Sequence, residues 1–347
     1  MNQEEAGKAA LVISIDLEMF WGVHDLWSVD QRKEALLQVR PTVSRILDLF
    51  TEYEIHSTWA AVGFLFYATH EELMNNLPAI QPEYSNPGFS PYPKLNVIGP
   101  NEIQDPCHYG ASLIEAIHRT PNQEIATHTF SHYYCLEAGQ SKAAFQSDLK
   151  AAVRAAASWG EEVRSLVFPR NQVNGSYLEC LAQCGIQSYR GAGSHWIYRE
   201  RPRSEESKFR RAVRLIDAYL NLSGHHTYRL ERIYQNPPFD FPASRLLRGY
   251  TPALRPLEPL RLRRICSGLD YAARKRETYH LWFHPEELAV HSEKNLTALR
   301  TVVERFARLR DRGTMESLSM SELSARVLSR RAVPAGSAMT AVRRGEE

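Results

Sequence analysis

Short apolar runs alternate with longer amphipathic ones along most of this chain, and that alternation limits its fold more than any other feature. Residues 11–15, 55–61, 124–127, 164–168, 188–190 and 279–283 are short and rich in strand formers, as buried strands are. Residues 34–53, 64–75, 110–118, 143–159, 176–184 and 295–310 space their apolar side chains as helices do. In residues 34–53, for example, Leu36, Leu37, Val43, Ile46, Leu47 and Leu49 make one face. Strand and helix in repeated alternation predict an α/β fold with a mostly parallel sheet or barrel. At 347 residues the chain is ordinary for one barrel-like domain. We take residues 1–330 as that domain, with a Pro- and aromatic-rich insertion at about 76–109 and a disordered tail at 331–347.

Folds of this class keep their chemistry at strand ends. His128 and His132 follow the strand at 124–127 and are spaced so that both imidazoles can face one metal ion, on a helical turn or a tight loop. Asp16 and Glu18 follow the strand at 11–15 and, by the period of two, project to the same side. His284 follows the late strand at 279–283. Two His and one carboxylate suit a divalent ion, zinc first, with cobalt, nickel or iron also accommodated. Glu18, His128 and His132 are the candidate ligands, Asp16 the candidate base and His284 the candidate acid. Which of the two acids binds the metal stays open at this point.

Charge is nearly balanced, 42 basic against 40 acidic residues, so nothing calls for a nucleic-acid partner. The five cysteines follow no disulfide or zinc spacing and fit a reducing compartment. No run has the length of a spanning helix, and the apolar stretch at 9–15 leads into acids, not a cleavage site. The expectation is a cytoplasmic protein of undetermined oligomeric state. Residues 199–214 and 245–276 are rich in Arg and form either a solvated face or a patch for a substrate phosphate, with Arg261, Arg263 and Arg264 as its test positions. Tyr84, Phe89, Tyr92 and Tyr109 in the insertion either stack on sugar rings or pack the loop.

These strand-end residues, in this order, resemble the motifs of the polysaccharide deacetylase family, also called the NodB-homology or carbohydrate esterase family four group. The likeness spans roughly residues 10–290. It is carried by Asp16-Leu-Glu18, by Ser57 to Gly63, by His128 to His132, by Pro169-Arg170 and by Leu281 to His284. The acids are spaced where the family has them adjacent, and Pro-Arg-Asn-Gln stands for the usual Arg-Pro-Pro-Tyr.

The resemblance implies a distorted (β/α)7 barrel and metal-dependent removal of an N- or O-acetyl group from a sugar. It implies that Arg170 orients Asp16 and that a backbone N–H near Asn171 or Gln172 holds the oxyanion. Trp21, Asn171 and Trp196 are the candidate substrate contacts. The carbohydrate would belong to a polysaccharide or its precursor, phosphate- or lipid-linked. The alternatives are a cyclic amide or ureide hydrolase on the same barrel and a non-catalytic metal-binding member of the fold.

Overall fold

The computed structural model describes residues 7–332 apart from 194, 234 and 235. The tail expected at 331–347 therefore lies, from residue 333 onward, outside the described residues. Among the described residues nine parallel strands form one curled sheet: β1 (Ala9–Leu17), β2 (Ser57–Ala61), β3 (Gln123–Thr127), β4 (Ser165–Val167), β5 (Ser188–Arg190), β6 (Phe239–Asp240), β7 (Arg245–Leu246), β8 (Thr278–Phe283) and β9 (Met315–Ser317). Their order is β6-β5-β4-β3-β2-β1-β8-β7, with β9 on the lower end of β1. Helices α1 (Val29–Leu37), α2 (Val39–Glu52), α3 (His70–Asn75), α4 (Ala111–Arg119), α5 (Lys142–Ala157), α6 (Leu178–Gln183), α7 (Lys208–Asp217), α8 (Glu258–Lys275), α9 (Pro285–Ala289), α10 (Ser292–Asp311) and α11 (Met320–Ala332) complete it. This is the distorted (β/α) barrel the sequence predicts.

Local chemistry moves several helix bounds. The helix expected over 34–53 is two, because Ser28 and Gln31 close a capping box that starts α1 early. The one expected over 64–75 is a 3-10 turn followed by α3, where Thr69 and Glu72 form a second box. The tyrosines of the insertion are spent on packing: Tyr84, Tyr92 and Tyr109 are buried. Tyr84 Oη accepts the Tyr134 N–H at 2.8 Å. Loop packing, not sugar stacking, is their use.

The strand β1 is buried along its whole length, and its two faces differ. Leu11, Ile13, Ile15 and Leu17 meet the helices in the main core. On the inward face Ala10 and Val12 join Phe239, Phe241, Leu318, Met320 and Leu323 in an apolar plug at the bottom. Above the plug the inward face turns polar, through Ser14, Asp16 and Glu18. Register puts Ser14 level with Trp282 and Ile15 level with Phe283, so Asp16 rises beside His284. Bulk hydrophobic burial thus closes one end and leaves the strand ends at the other for chemistry.

Candidate active site

The loop after β3 is a tight one. Thr129 and His132 have φ of 63° and 56°, so the segment is no helical turn. Asp148 of α5 holds it, accepting from Phe130 N–H at 2.7 Å and Ser131 N–H at 3.1 Å. Gly63 at the end of β2 lets the loop come close, since a Cβ there would lie 2.7 Å from the Phe130 Cα. The result aims both imidazoles at one point. His128 Nε2 is 2.9 Å and His132 Nε2 is 3.1 Å from Glu18 Oε1.

Glu18 is held from behind by Glu286, whose Oε1 accepts the N–H groups of Glu18 (3.0 Å) and Met19 (2.5 Å). Burial opposes ionisation of Glu18, but the His284 charge and the hydrogen bonds to the His128 and His132 imidazoles outweigh it and keep its pKa well below the usual range. Burial pushes His132 down to about 4, so it stays neutral. One carboxylate oxygen and two neutral-capable imidazoles at a common point are the donor set of a divalent transition metal, and these residues fit such an ion. His132 Nδ1 lies 3.2 Å from Tyr134 Oη, which orients the ring.

Asp16 sits beside this cluster, and its partner is Arg190. The guanidinium donates to both carboxylate oxygens at 2.6 Å, to Ser14 Oγ at 3.0 Å and to Asn171 Oδ1 at 2.9 Å. Trp282 stacks on Arg190, its ring 4.2 Å from the guanidinium carbon. The role expected of Arg170 is therefore corrected: its guanidinium donates to Asp25 at 2.5 Å and lies over the Tyr134 ring at 4.0 Å. Arg170 is itself left-handed (φ 55°) in the turn just past β4, which turns it away from Asp16, whereas Arg190 occupies an inward position of β5.

His284 faces both acids, with Nε2 3.6 Å from Asp16 Oδ2 and 3.7 Å from Glu18 Oε1. Its Nδ1 lies 3.5 Å from Glu287 Oε1, so the partner acid comes from the turn that follows. Burial lowers the His284 pKa, but Glu18, Glu287 and Asp16 overcome it and raise the imidazole to about 10. A cleft of about 370 Å³ opens over Asp16, Glu18, His132, Trp282 and His284.

Other expectations are corrected. Trp21 is fully buried, donates to His108 O at 2.8 Å and packs on Phe64, so it touches no cleft. Trp196 is 44% exposed and lies outside the cleft. Asn171 does line it, but its backbone N–H bonds Phe168 O and that of Gln172 bonds Pro169 O, so the local turn uses both proposed oxyanion donors. Arg261 and Arg264 are buried on Glu258, Arg248 O, Asp217 O and Gly224 O, leaving neither free for a phosphate.

Beneath the site His280 carries a chain of hydrogen bonds. Its Nδ1 lies 3.2 Å from Phe241 O, the geometry of a donated N–H, and its Nε2 lies 2.9 Å from Ser14 Oγ. Ser14 can then donate to His280 and accept from Arg190, so a neutral His280 props Arg190. Burial and the Arg190 charge push its pKa down to about 3. The folded protein thus binds fewer protons than the unfolded chain between pH 3 and 6.5. His280 stability is full above pH 6.5 and is lost as pH falls toward 3, by about 2 kcal/mol at pH 5. Urea unfolding of His280→Gln, which keeps an acceptor for Ser14, should show a shallower loss between pH 7 and 5 than the native chain. Equal slopes would remove His280 from this account.

Residues 30–189 match the family model described as polysaccharide deacetylase. That stretch holds His128 and His132, ends one residue short of Arg190 and leaves out Asp16, Glu18 and His284. Nothing matches among curated protein sequences. Among solved structures, a candidate polysaccharide deacetylase from Mycobacterium smegmatis superposes with a TM-score of 0.59 at 14% identity, over 98% of this chain and 96% of that one. The Puue allantoinase gives 0.57 at 11% identity, over 94% and 93%. A candidate polysaccharide deacetylase from Pseudomonas aeruginosa gives 0.54 at 10%, over 94% and 93%. At these identities the structural likeness concerns the fold.

Proposed function

We propose that the protein is a metal-dependent hydrolase of the polysaccharide deacetylase family, whose model its residues 30–189 match, and that it removes an N-acetyl or O-acetyl group from a sugar of a polysaccharide or its precursor. One observation carries this reading: Glu18, His128 and His132 converge at one point, with Asp16 and His284 alongside. A divalent ion held by Glu18, His128 and His132 supplies a Lewis acid and lowers the pKa of water. Zinc suits this donor set best, with cobalt, nickel and iron as alternatives.

The chain's own groups supply the proton transfers. Asp16, fixed by two hydrogen bonds from Arg190, is the acceptor for the proton of the attacking water. His284 is the donor to the departing sugar nitrogen, and Glu287 on its far nitrogen supports its charged form. Amide cleavage needs that proton, because a free amide anion is too basic to leave. A non-catalytic metal-binding module would need neither Asp16 nor His284. We also place the protein in the cytoplasm, supported by its free cysteines.

The test is acetate release from N-acetyl sugars, with a cyclic ureide in the same panel because the fold is shared with an allantoinase. Dialysis against a chelator should abolish the rate and a divalent ion should restore it. A full rate in metal-free protein would falsify the metal dependence, and ring opening of the ureide without acetate release would move the substrate to that class.

A further inference from the structure

A second cleft, about 300 Å³, joins the first through Arg170, Asn171 and Trp282. Its walls are crowded with guanidinium groups, set against the acids Glu200 and Glu206. Some are committed: Arg170 to Asp25, Arg214 to Glu206 and Arg245 to Asp217. Arg199, Arg201 and Arg248 also line it, and among the described residues their side chains make no direct hydrogen bond or ion pair, Arg248 acting on Glu287 only at longer range. One nitrogen of Arg170, at the junction of the two clefts, is buried without a partner. Guanidinium groups without a direct partner around a concave site next to the reacting centre suit an anion, and their planar forks match phosphate.

The outer wall of this cleft is α7, through Arg214, and α7 is inside out. It buries Arg210 (4% exposed) and Asp217 (0%) and turns Phe209 (68%) and Ile216 (48%) to solvent. Leu220 and Leu222, just past its end, are exposed as well. Phe209, Val213 and Ile216 share one helical face. Trp196, exposed, lies against the same helix, its carbonyl accepting from Arg210 at 2.8 Å. A helix that buries Arg210 and Asp217 while it shows an apolar stripe flanked by the exposed cations Lys208 and Arg211 is matched to a non-aqueous, anionic neighbour.

We propose that the substrate is a sugar carried on a lipid phosphate. The second cleft takes the phosphate, and the apolar face of α7 seats in the anionic lipid surface that presents the substrate. This rests on the deacetylase reading and names its substrate class. The charges favour lipid over a second copy of the chain. Across residues 199–211 the exposed basic groups are Arg199, Arg201, Arg203, Lys208 and Arg211, against the exposed acids Glu200 and Glu205. A twofold contact would bring these like charges together, whereas anionic headgroups neutralise them. Trp beside the stripe suits the headgroup level.

The experiment gives the full-length, metal-loaded protein one N-acetyl sugar in three forms: free, as the 1-phosphate, and joined through phosphate to a hydrocarbon chain in vesicles of phosphatidylcholine with phosphatidylglycerol. kcat/KM should rise roughly tenfold with the phosphate, the scale of one charge-assisted contact, and rise again in the vesicles. Arg248→Gln should narrow the ratio between phosphorylated and free sugar. Co-sedimentation with the same vesicles, read without activity, should be strong for the native chain and weak for Phe209→Ser combined with Ile216→Ser. Equal kcat/KM for free and phosphorylated sugar overturns the phosphate site. A gain with the 1-phosphate but no vesicle binding overturns the lipid surface, as does a dimer in light scattering that those serines dissociate. No acetate from any form sinks the deacetylase reading itself, while vesicle binding still judges the surface.

Discussion

Replacing Arg190 with Met should cost the fold about 3–5 kcal/mol, the range for removing one partner of a buried ion pair, and should remove nearly all activity. Both partners are shut off from water, with side chains 0% and 3% exposed. Without Arg190 the Asp16 carboxylate would lose both of the hydrogen bonds that hold it in place, in a site where a buried polar group is costly to leave unpaired. A general base that is no longer held in position is lost to the reaction, which costs roughly 10²–10⁴ in rate. Arg190→Lys keeps a charge but not the planar fork, so it should fold better and still turn over poorly. The control is Arg170→Met. Its ion pair is with Asp25, and its side chain is 21% exposed, so Asp16 stays gripped. Urea unfolding and acetate release on all three variants decide the matter. A larger loss of both in Arg170→Met than in Arg190→Met would return the orienting role to Arg170.

That contrast shows where the sequence was legible and where it was not. Residues whose role follows from position along one strand could be read. Asp16 and Glu18 share a face by the period of two, and His128 and His132 are set by one short loop. Arg190 depends on two strands far apart in sequence, β1 and β5, curling until their inward faces meet across the sheet. A local signal for it did exist: Ser188 and Arg190 alternate with Tyr189 on a buried strand, which puts an arginine inside. Pro169-Arg170, which resembles a family motif, is the stronger local signal and points to the wrong arginine. Asp148 and Glu286 were missed for a similar reason, since each works by accepting backbone N–H groups from another segment. Composition leaves the Arg-rich stretches as either a solvated face or a phosphate patch. Burial divides them into structural groups such as Arg261 and Arg264 and cleft-lining ones such as Arg248, a division composition does not contain. The inside-out character of α7 also needs the fold, because amphipathicity says that a helix has two faces and not which one is turned inward.

Separate exchange of the two acids resolves which of them holds the metal, the question left open by their spacing. Glu18→Gln should abolish stable metal binding. Its Oε1 is the atom both imidazoles approach, and an amide brings no charge to a site left with two neutral nitrogens. Metal retained after desalting should fall to background, and activity with it. Asp16→Asn should keep the metal, because Glu18, His128 and His132 stay as they are, and should lose about 10²–10⁴ in rate with the base gone. The asparagine amide can accept from Arg190 on one side only, so this variant should also lose about 1–3 kcal/mol of stability, the cost of an unsatisfied buried donor. Glu18→Gln, on the more open side of the site, should lose less in the absence of metal. The two variants thus separate on two axes, metal content and rate with metal saturated. If Asp16→Asn emptied the site while Glu18→Gln stayed loaded, the roles of base and ligand would be exchanged. Arg190 would then be neutralising a metal ligand, a poor use for a guanidinium that occupies both oxygens of the Asp16 carboxylate.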